Sequence, residues 1–316
     1  MGRQARPPRR EELVNALEFE EAAKLTLPPA LFATIAGSDR AAFDRITFRP
    51  RMMVPALDMD LSVTVLGETL FTPILVGPVA DQRRYHADGE VATVRGASAA
   101  RAVMVVSSRS SAPIGEIAAH ANTPLWYSVY PDTNARTQIA QAIAAGCKAV
   151  LITVGASEQP GSRPRTTAID WKAIEDIRRG LDVPVAIKGV MTPQHARTAI
   201  DAGMRGVVVS DYGGVVSGKQ APIEALASIA EVCAGKAAVL IDGSLRRGSD
   251  ITKALVLGAQ GVLVARPVMW GLAAYGDGGV QTIIEMLQSD LGRTMGALGA
   301  PNLGSLNRDM VRIHRR

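Results

Sequence analysis

Ala238-Val239-Leu240-Ile241-Asp242 is a short apolar run ending on an acid, and Gly243-Ser244-Leu245-Arg246-Arg247-Gly248 follows it directly. Ser249–Leu257 then reads as a helix, with Asp250 in its first turn and Gly258 at its stop. Gly261-Val262-Leu263-Val264-Ala265 opens the next apolar run, and Arg266-Pro267 closes it. Strand, glycine-rich basic loop, helix, glycine and strand make one turn of a β/α alternation. The acid lies at the helix start and the glycine beyond its end, where a helix favours each.

The same unit recurs upstream. Pro73–Gly77, Ala102–Ser107, Leu125–Val129, Ala149–Thr153, Val185–Lys188 and Gly206–Ser210 are further short runs, apolar without strict alternation. Strands buried on both faces of a parallel sheet read this way. Between them, Gly89–Arg101 follows Asp88 as a cap, Ala135–Ala145 stops at Gly146, and Pro193–Ala202 stops at Gly203. Eight strands with helical connections predict an α/β fold, a (β/α)8 TIM barrel. A doubly wound open sheet is the alternative, weakened because no G-x-G-x-x-G follows any strand.

The first 72 residues stand outside this rhythm. Glu11–Ala23 reads as a helix with Leu13 and Phe19 on its apolar side, and Pro28–Ile35 as a second, ended by Gly37. Ser62–Val65 and Glu68–Phe71 flank Gly67 as a hairpin. The expected organisation is an N-terminal helical and hairpin extension over 1–72 that closes the barrel floor, the barrel over 73–300, and a basic C-terminal tail over 301–316.

Composition bounds the rest. The 316 residues are 47% hydrophobic and 21% charged, which excludes a disordered or fibrous chain. No run of about 20 apolar residues is long enough to span a membrane. Cys147 and Cys233 with four histidines make neither a disulfide scaffold nor a metal cluster, so no metal is expected. The lack of an apolar leader points to the cytoplasm. The net charge of +5 sits in the ends: Arg3, Arg6, Arg9 and Arg10 at one, Arg308, Arg312, Arg315 and Arg316 against Asp309 at the other. Such ends read as solubilising tails, and nucleic-acid binding is not expected.

In a barrel, chemistry sits where strands end and βα loops begin. The polar residues there are Ser107, Ser108 and Arg109, Ser128 and Tyr130, Thr153, Lys188, Ser210, Asp211 and Tyr212, Asp242 and Arg266. Lys188 either ends a strand and pairs with Asp242 or serves the site; its small and apolar neighbours Ala186, Ile187 and Gly189 favour the second reading. The loop Asp242–Ser249 and the turn Ala265-Arg266-Pro267 lie on the last two strands, where barrels bind phosphate with backbone N–H groups and guanidinium side chains.

At this point the chain resembles a known family, the FMN-dependent α-hydroxy acid oxidases and dehydrogenases that include glycolate oxidase, lactate oxidase and the flavin domain of flavocytochrome b2. The resemblance rests on His86-Ala87-Asp88-Gly89-Glu90, Lys188-Gly189, Ser210-Asp211-Tyr212-Gly213-Gly214, Asp242 to Gly248 with Asp250, Lys253-Ala254-Leu255, Leu257-Gly258-Ala259, Ala265-Arg266-Pro267 and Trp270-Gly271-Leu272-Ala273. It implies non-covalent FMN at the C-terminal face of the barrel and a homo-oligomer, up to a tetramer. It implies flavin contacts from Pro78, Val79, Ala80, Ser107 or Ser108, Ser128, Thr153, Lys188 and Ser210. Asp242, Gly243, Ser244, Arg246, Ala265 and Arg266 would serve the ribityl and phosphate end. Lys188 would stabilise the reduced flavin electrostatically.

The substrate half departs from the family pattern. The histidine base of the family falls at Tyr212, its carboxylate-clamping arginine at Val215, and the aspartate partner of the histidine at Gly155. The N-terminal tyrosine aligns near Thr34, and Tyr130 alone survives of the usual substrate contacts. Arg163 or Arg165 matches a second substrate arginine, and Arg109 and Asp211 stand nearby. With about 17 residues between Thr153 and Trp171, the lid is short. The resemblance therefore implies a divergent FMN oxidoreductase with Tyr212, Lys188 and Tyr130 as catalytic candidates. Its small-molecule substrate would be larger or anionic rather than lactate or glycolate, with oxygen, a quinone or a carrier protein taking the electrons. A flavoprotein running a redox-neutral step, or a non-catalytic FMN-binding protein, is the alternative.

Overall fold

The computed structural model describes residues 6–37, 39–49, 58–157, 165–214 and 220–314. Eight parallel strands close into a barrel in chain order: β1 (Ile74–Val76), β2 (Met104–Ser107), β3 (Leu125–Val129), β4 (Ala149–Thr153), β5 (Val185–Val190), β6 (Gly206–Val209), β7 (Ala238–Ile241) and β8 (Gly261–Val264), with β8 pairing back to β1. This is the (β/α)8 TIM barrel expected from the alternation; the open sheet is excluded.

The pleat explains why these strands lack polar alternation. Leu75, Val105, Trp126, Leu151, Ala186, Val208, Leu240 and Leu263 point inward and pack together as one layer. Their neighbours Val76, Val106, Tyr127, Ile152, Ile187, Val209, Ile241 and Val264 pack outward against the helices. Both faces are buried, so both are apolar. Two residues beyond each inward apolar side chain the strand presents the next inward position. Those positions are Gly77, Ser107, Ser128, Thr153, Lys188, Ser210, Asp242 and Ala265. A polar tier therefore caps the apolar one at the C-terminal end of the barrel.

Gly189 interrupts β5 just past Lys188, where pairing to β6 slips from Lys188↔Val208 to Val190↔Val209. Its φ of 115° lies in the left-handed region, and a Cβ there would sit 2.2 Å from the Val154 carbonyl oxygen. Only glycine allows this close crossing of β5 and the end of β4.

Helix α1 spans Ala16–Thr26, later than the expected Glu11–Ala23. Asn15 sets the start: its Oδ1 accepts from Leu17 N at 3.0 Å and Glu18 N at 3.3 Å, and a short 3₁₀ turn, Arg10–Glu12, precedes it. The expected second helix is a single turn, Pro29–Phe32. Antiparallel Val63–Val65 and Glu68–Leu70 form the hairpin, and Val65 and Leu70 join the inner barrel layer. The hairpin thus plugs the N-terminal end.

The barrel helices include α2 (Gly89–Ala99), α3 (Ile114–Ala118), α4 (Ala135–Ala144), α5 (Trp171–Arg178), α6 (Pro193–Asp201), α7 (Pro222–Cys233), α8 (Gly248–Val256) and α9 (Arg266–Ala297). Asp88, expected as a cap, makes no capping bond, whereas Asp170 and Thr192 do cap α5 and α6. Helix α9 kinks at Tyr275 and Gly276, where Gly276 takes φ 61° and ψ −143°. The C-terminal segment, expected as a tail, carries a strand: Val311–Ile313 pairs antiparallel with Ile46–Phe48. A small hairpin, Ala156–Ser157 with Arg165–Thr166, follows β4. Among the described residues no helix is long and apolar enough to cross a membrane.

Candidate active site

The polar tier opens into a cavity of about 1130 Å³ at the C-terminal end of the barrel. Ligand sites of about 300–1,000 Å³ are usual, so there is room here for more than one small molecule. Its floor is hydrogen-bonded across strands: Ser128 and Thr153 share a 3.0 Å hydroxyl contact, and register places Ser107 beside Ser128.

Lys188 is only 5% exposed. Its Nζ lies 2.7 Å from Asp242 Oδ2 and donates to Ser210 Oγ at 2.9 Å. Both readings of this lysine therefore hold: it pairs with Asp242 and it lines the cavity. Both partners offset the cost of burying an ammonium group this deep. Ser210 Oγ also accepts the Tyr212 N–H at 3.3 Å, so one hydroxyl couples the ammonium to the following loop.

That loop places Tyr212 at φ 53°, a left-handed conformation uncommon outside glycine. Its hydroxyl is hydrogen-bonded to that of Tyr130, the residue directly after β3, and the rings meet edge to face with centroids 6.5 Å apart. Arg109 stacks over Tyr130 at 5.6 Å and forms a 3.0 Å ion pair with Asp132.

The other end of the cavity is cationic. Arg246 is 4% exposed, and its guanidinium lies 4.8 Å from the Trp270 ring. Burial, then the nearby charge of Arg266, pushes it from 12.5 down to about 9. It remains a cation at neutral pH. One of its nitrogens donates to Leu245 O at 2.8 Å, and the other, Nη2, is buried without a hydrogen-bond partner. Neighbouring Arg40 is engaged by Asp250 at 2.8 Å, and Arg266 donates to Ala36 O at 3.3 Å. Asp250 also accepts from the backbone of Arg246 and Arg247, at 2.9 and 3.0 Å, which fixes the loop. Gly243 and Ser244 turn this loop with φ of 97° and 55°. A buried guanidinium with an orphaned N–H demands an anion.

Pro78, Val79, Ala80, Gly243, Ser244, Ala265 and the residues above line one continuous cavity. Ser108, Ser210 and Asp211 do not line it. Ser108 gives its N–H to Ser128 O at 2.7 Å, and Asp211 Oδ1 accepts from Gly213 N at 3.0 Å. Burial, and then the charge of Asp242, raises the Asp211 carboxyl above its usual range. Arg163, Val215 and the Arg165 side chain lie outside the described residues. Strand-end logic missed Thr34, Tyr85, Asp81 and Arg84, which reach the cavity from the N-terminal extension and the β1 loop. None of the four histidines lines it.

The family model of the FMN-dependent dehydrogenases matches residues 33–167 and 155–313. The peroxisomal (S)-2-hydroxyacid oxidase GLO3 of Arabidopsis thaliana is 33% identical, over 96% of this chain and 97% of its own. A 4-hydroxymandelate oxidase of Amycolatopsis orientalis is 32% identical, over 93% and 97%. The crystal structure of a mandelate oxidase with (S)-2-phenylpropionate superposes with a TM-score of 0.88 at 32% identity, covering 96% of this chain and all of that one. The cavity fits FMN: the unpaired Arg246 Nη2 beside Arg266 suits a phosphate, and the polar tier leads away from it. The peroxisomal relatives correct one expectation. These relatives are named as peroxisomal oxidases, so the expectation of a cytoplasmic protein does not hold.

Proposed function

The chain belongs to the FMN-dependent dehydrogenase family, an FMN-dependent oxidoreductase, and from that premise we propose that its substrate chemistry departs from the oxidation of small 2-hydroxy acids. The Tyr130–Tyr212 hydroxyl pair, in a cavity whose lining includes no histidine, is the observation that carries this reading. Where the family resemblance puts a histidine base, this chain has Tyr212.

In this reading Arg246, Arg266, Asp242 and the Gly243–Ser244 turn hold the phosphate and ribityl end of FMN, with Ala265 beside them. Pro78, Val79, Ala80, Ser107, Ser128 and Thr153 take the ring. When bound, FMN would supply two-electron oxidising chemistry, able to take a hydride equivalent from an alcohol carbon so that it becomes a carbonyl. Lys188, buried and held by Asp242 and Ser210, supplies fixed positive charge to the site. Tyr212 Oη receives the substrate hydroxyl proton as its own passes to Tyr130 Oη and out to solvent. Such a relay works without a side chain titrating near neutrality; a lone tyrosine, with a reference pKa of about 10, is a poor resting base.

Of the two departures expected, bulk is favoured over anionic charge. The cavity is large, the connection after β4 is short, and Arg109 is already engaged by Asp132. Several relatives are named oxidases, which supports oxygen as the electron acceptor over a quinone or a carrier protein. The resemblance supports a homo-oligomer, up to a tetramer.

The test is anaerobic reduction of the bound flavin by a panel of alcohols. Tyr212→Phe should retain FMN and slow reduction about 100-fold, the lower range for a lost proton-transfer group. An unchanged reduction rate would remove Tyr212 from proton transfer and sink the reading.

A further inference from the structure

Every charge lining the substrate half has a partner among the described residues. Arg84 pairs with Asp81 at 3.8 Å, Arg109 with Asp132 at 3.0 Å, and Lys188 with Asp242 at 2.7 Å. The remaining cations of the cavity, Arg246 and Arg266, lie at the phosphate end, where a bound dianion would balance them. Among the described residues no surplus positive charge is left for a substrate carboxylate. A carboxylate in a site without one meets a desolvation cost that nothing offsets.

Hydroxyl bookkeeping on the opposite wall points the same way. Thr34 Oγ1 donates to Leu31 O at 2.7 Å, so its single proton is committed. The 2.9 Å contact between Thr34 Oγ1 and Tyr85 Oη must then be donated by Tyr85. Tyr85, with its ring almost fully buried, therefore offers the cavity an acceptor oxygen and no proton. An acceptor repels a carboxylate and welcomes an O–H or N–H. Arg109 contributes the complement: its Nη2 is taken by Asp132, while its Nε is buried without a partner and can donate to a neutral oxygen.

We propose that this site takes an uncharged substrate, an alcohol whose neighbouring group is a hydroxyl, carbonyl or amide, with Asp132 and the Thr34–Tyr85 pair discriminating against a free carboxylate. The proposal rests on the alcohol-oxidation reading above and names its substrate class. Asp132 acts through Arg109 and is a positioning residue.

A matched pair tests it: 2-hydroxy-2-phenylacetate and its carboxamide, which differ in charge and little in shape. FMN-loaded enzyme is titrated with each, binding is read from the flavin difference spectrum, and reduction from anaerobic bleaching. The carboxamide should bind at least about tenfold more tightly. Asp132→Asn should strengthen binding of the acid about tenfold while leaving the carboxamide within about twofold, a selective change that general loosening would not produce. Tyr85→Phe should weaken the carboxamide and not the acid. Tighter binding of the acid by the wild-type enzyme overturns the proposal, as does a spectrum that neither compound perturbs. If both bind with the expected preference and neither bleaches the flavin, alcohol oxidation fails while the charge preference stands.

Discussion

Replacing Glu90 separates a structural carboxylate from the cofactor site it supports. Glu90 is wholly buried on the first turn of α2. Its Oε1 accepts from Gln82 N at 3.1 Å and Ser111 N at 2.9 Å, and its Oε2 from the Ser111 hydroxyl. Gln82 belongs to the loop after β1, which carries Val79 and Ala80, and Ser111 to the loop after β2, which carries Arg109 and Ser110. One carboxylate therefore ties together two loops that wall the cavity, reinforced by Asp81 N donating to Arg109 O at 2.9 Å. Glu90→Ala strands two buried N–H groups at about 1–3 kcal/mol each and removes buried atoms, a total of about 3–6 kcal/mol. At about 2 cal/mol/K of unfolding entropy per residue, a chain of this length loses about 1.5 °C per kcal/mol, so the melting point should fall about 5–9 °C.

Glu90→Gln is the control. Its amide oxygen can keep both N–H groups and its NH₂ can donate to Ser111 Oγ, at a cost of about 1 kcal/mol for the redirected proton and lost charge. Melting by circular dichroism and FMN titration of the apoprotein read the two consequences. Glu90→Ala should weaken FMN about tenfold or more, because the walls must be re-ordered on binding. Alanine and glutamine variants that behave alike would refute the hydrogen-bond argument. A melting point that falls with FMN affinity intact would refute the coupling between the two loops.

Other consequences follow from single sites. Arg246→Met should raise the FMN dissociation constant about 100-fold, through loss of a charge-assisted contact, as measured by fluorescence titration. Because burial depresses the Arg246 pKa to about 9, the unfolded apoprotein binds more protons above that pH, and apoprotein stability should rise with pH there. The melting-point gap between wild type and Arg246→Met should therefore shift in favour of the wild type between about pH 8 and 10, and bound FMN should abolish that shift. Gly189→Ala forces a side chain into the Val154 carbonyl at a φ of 115°; it should yield little soluble holoprotein, while Gly235→Ala, at a positive φ with open space around it, should cost only about 1 kcal/mol in a melt. Asn15→Ala should lower the melting point by about 1–2 °C, the value of one lost helix cap.

The barrel was legible because burial on both faces writes itself as uninterrupted apolar runs, and because each run stops where its inward position turns polar. That switch is visible at Ser107, Ser128, Thr153, Lys188, Ser210 and Asp242, and it is why strand ends alone located much of the cavity floor. Lys188 was readable by its small neighbours, and Arg246 by its place in a basic glycine-rich loop. Glu90 ends the His86–Glu90 segment that carries part of the resemblance, but its role was hidden: its side chain serves amides of the loops after β1 and β2, while Asp88, the expected cap, does no capping.

The substrate half was illegible for a different reason. Thr34 arrives from the extension, Tyr85 from the middle of a loop, and Asp132 from beyond the end of β3, with no periodicity relating them. A list of arginines near a strand end also says nothing about which are already paired. Arg109 looked like an anion clamp until Asp132 was found 3.0 Å away. Sequence pattern reports which side chains a fold brings to a cavity, whereas the charge a ligand meets there depends on pairings between loops. A family resemblance can therefore carry the cofactor across and still leave the charge that a substrate meets to pairings such as Arg109 with Asp132 and to the direction of one hydroxyl proton.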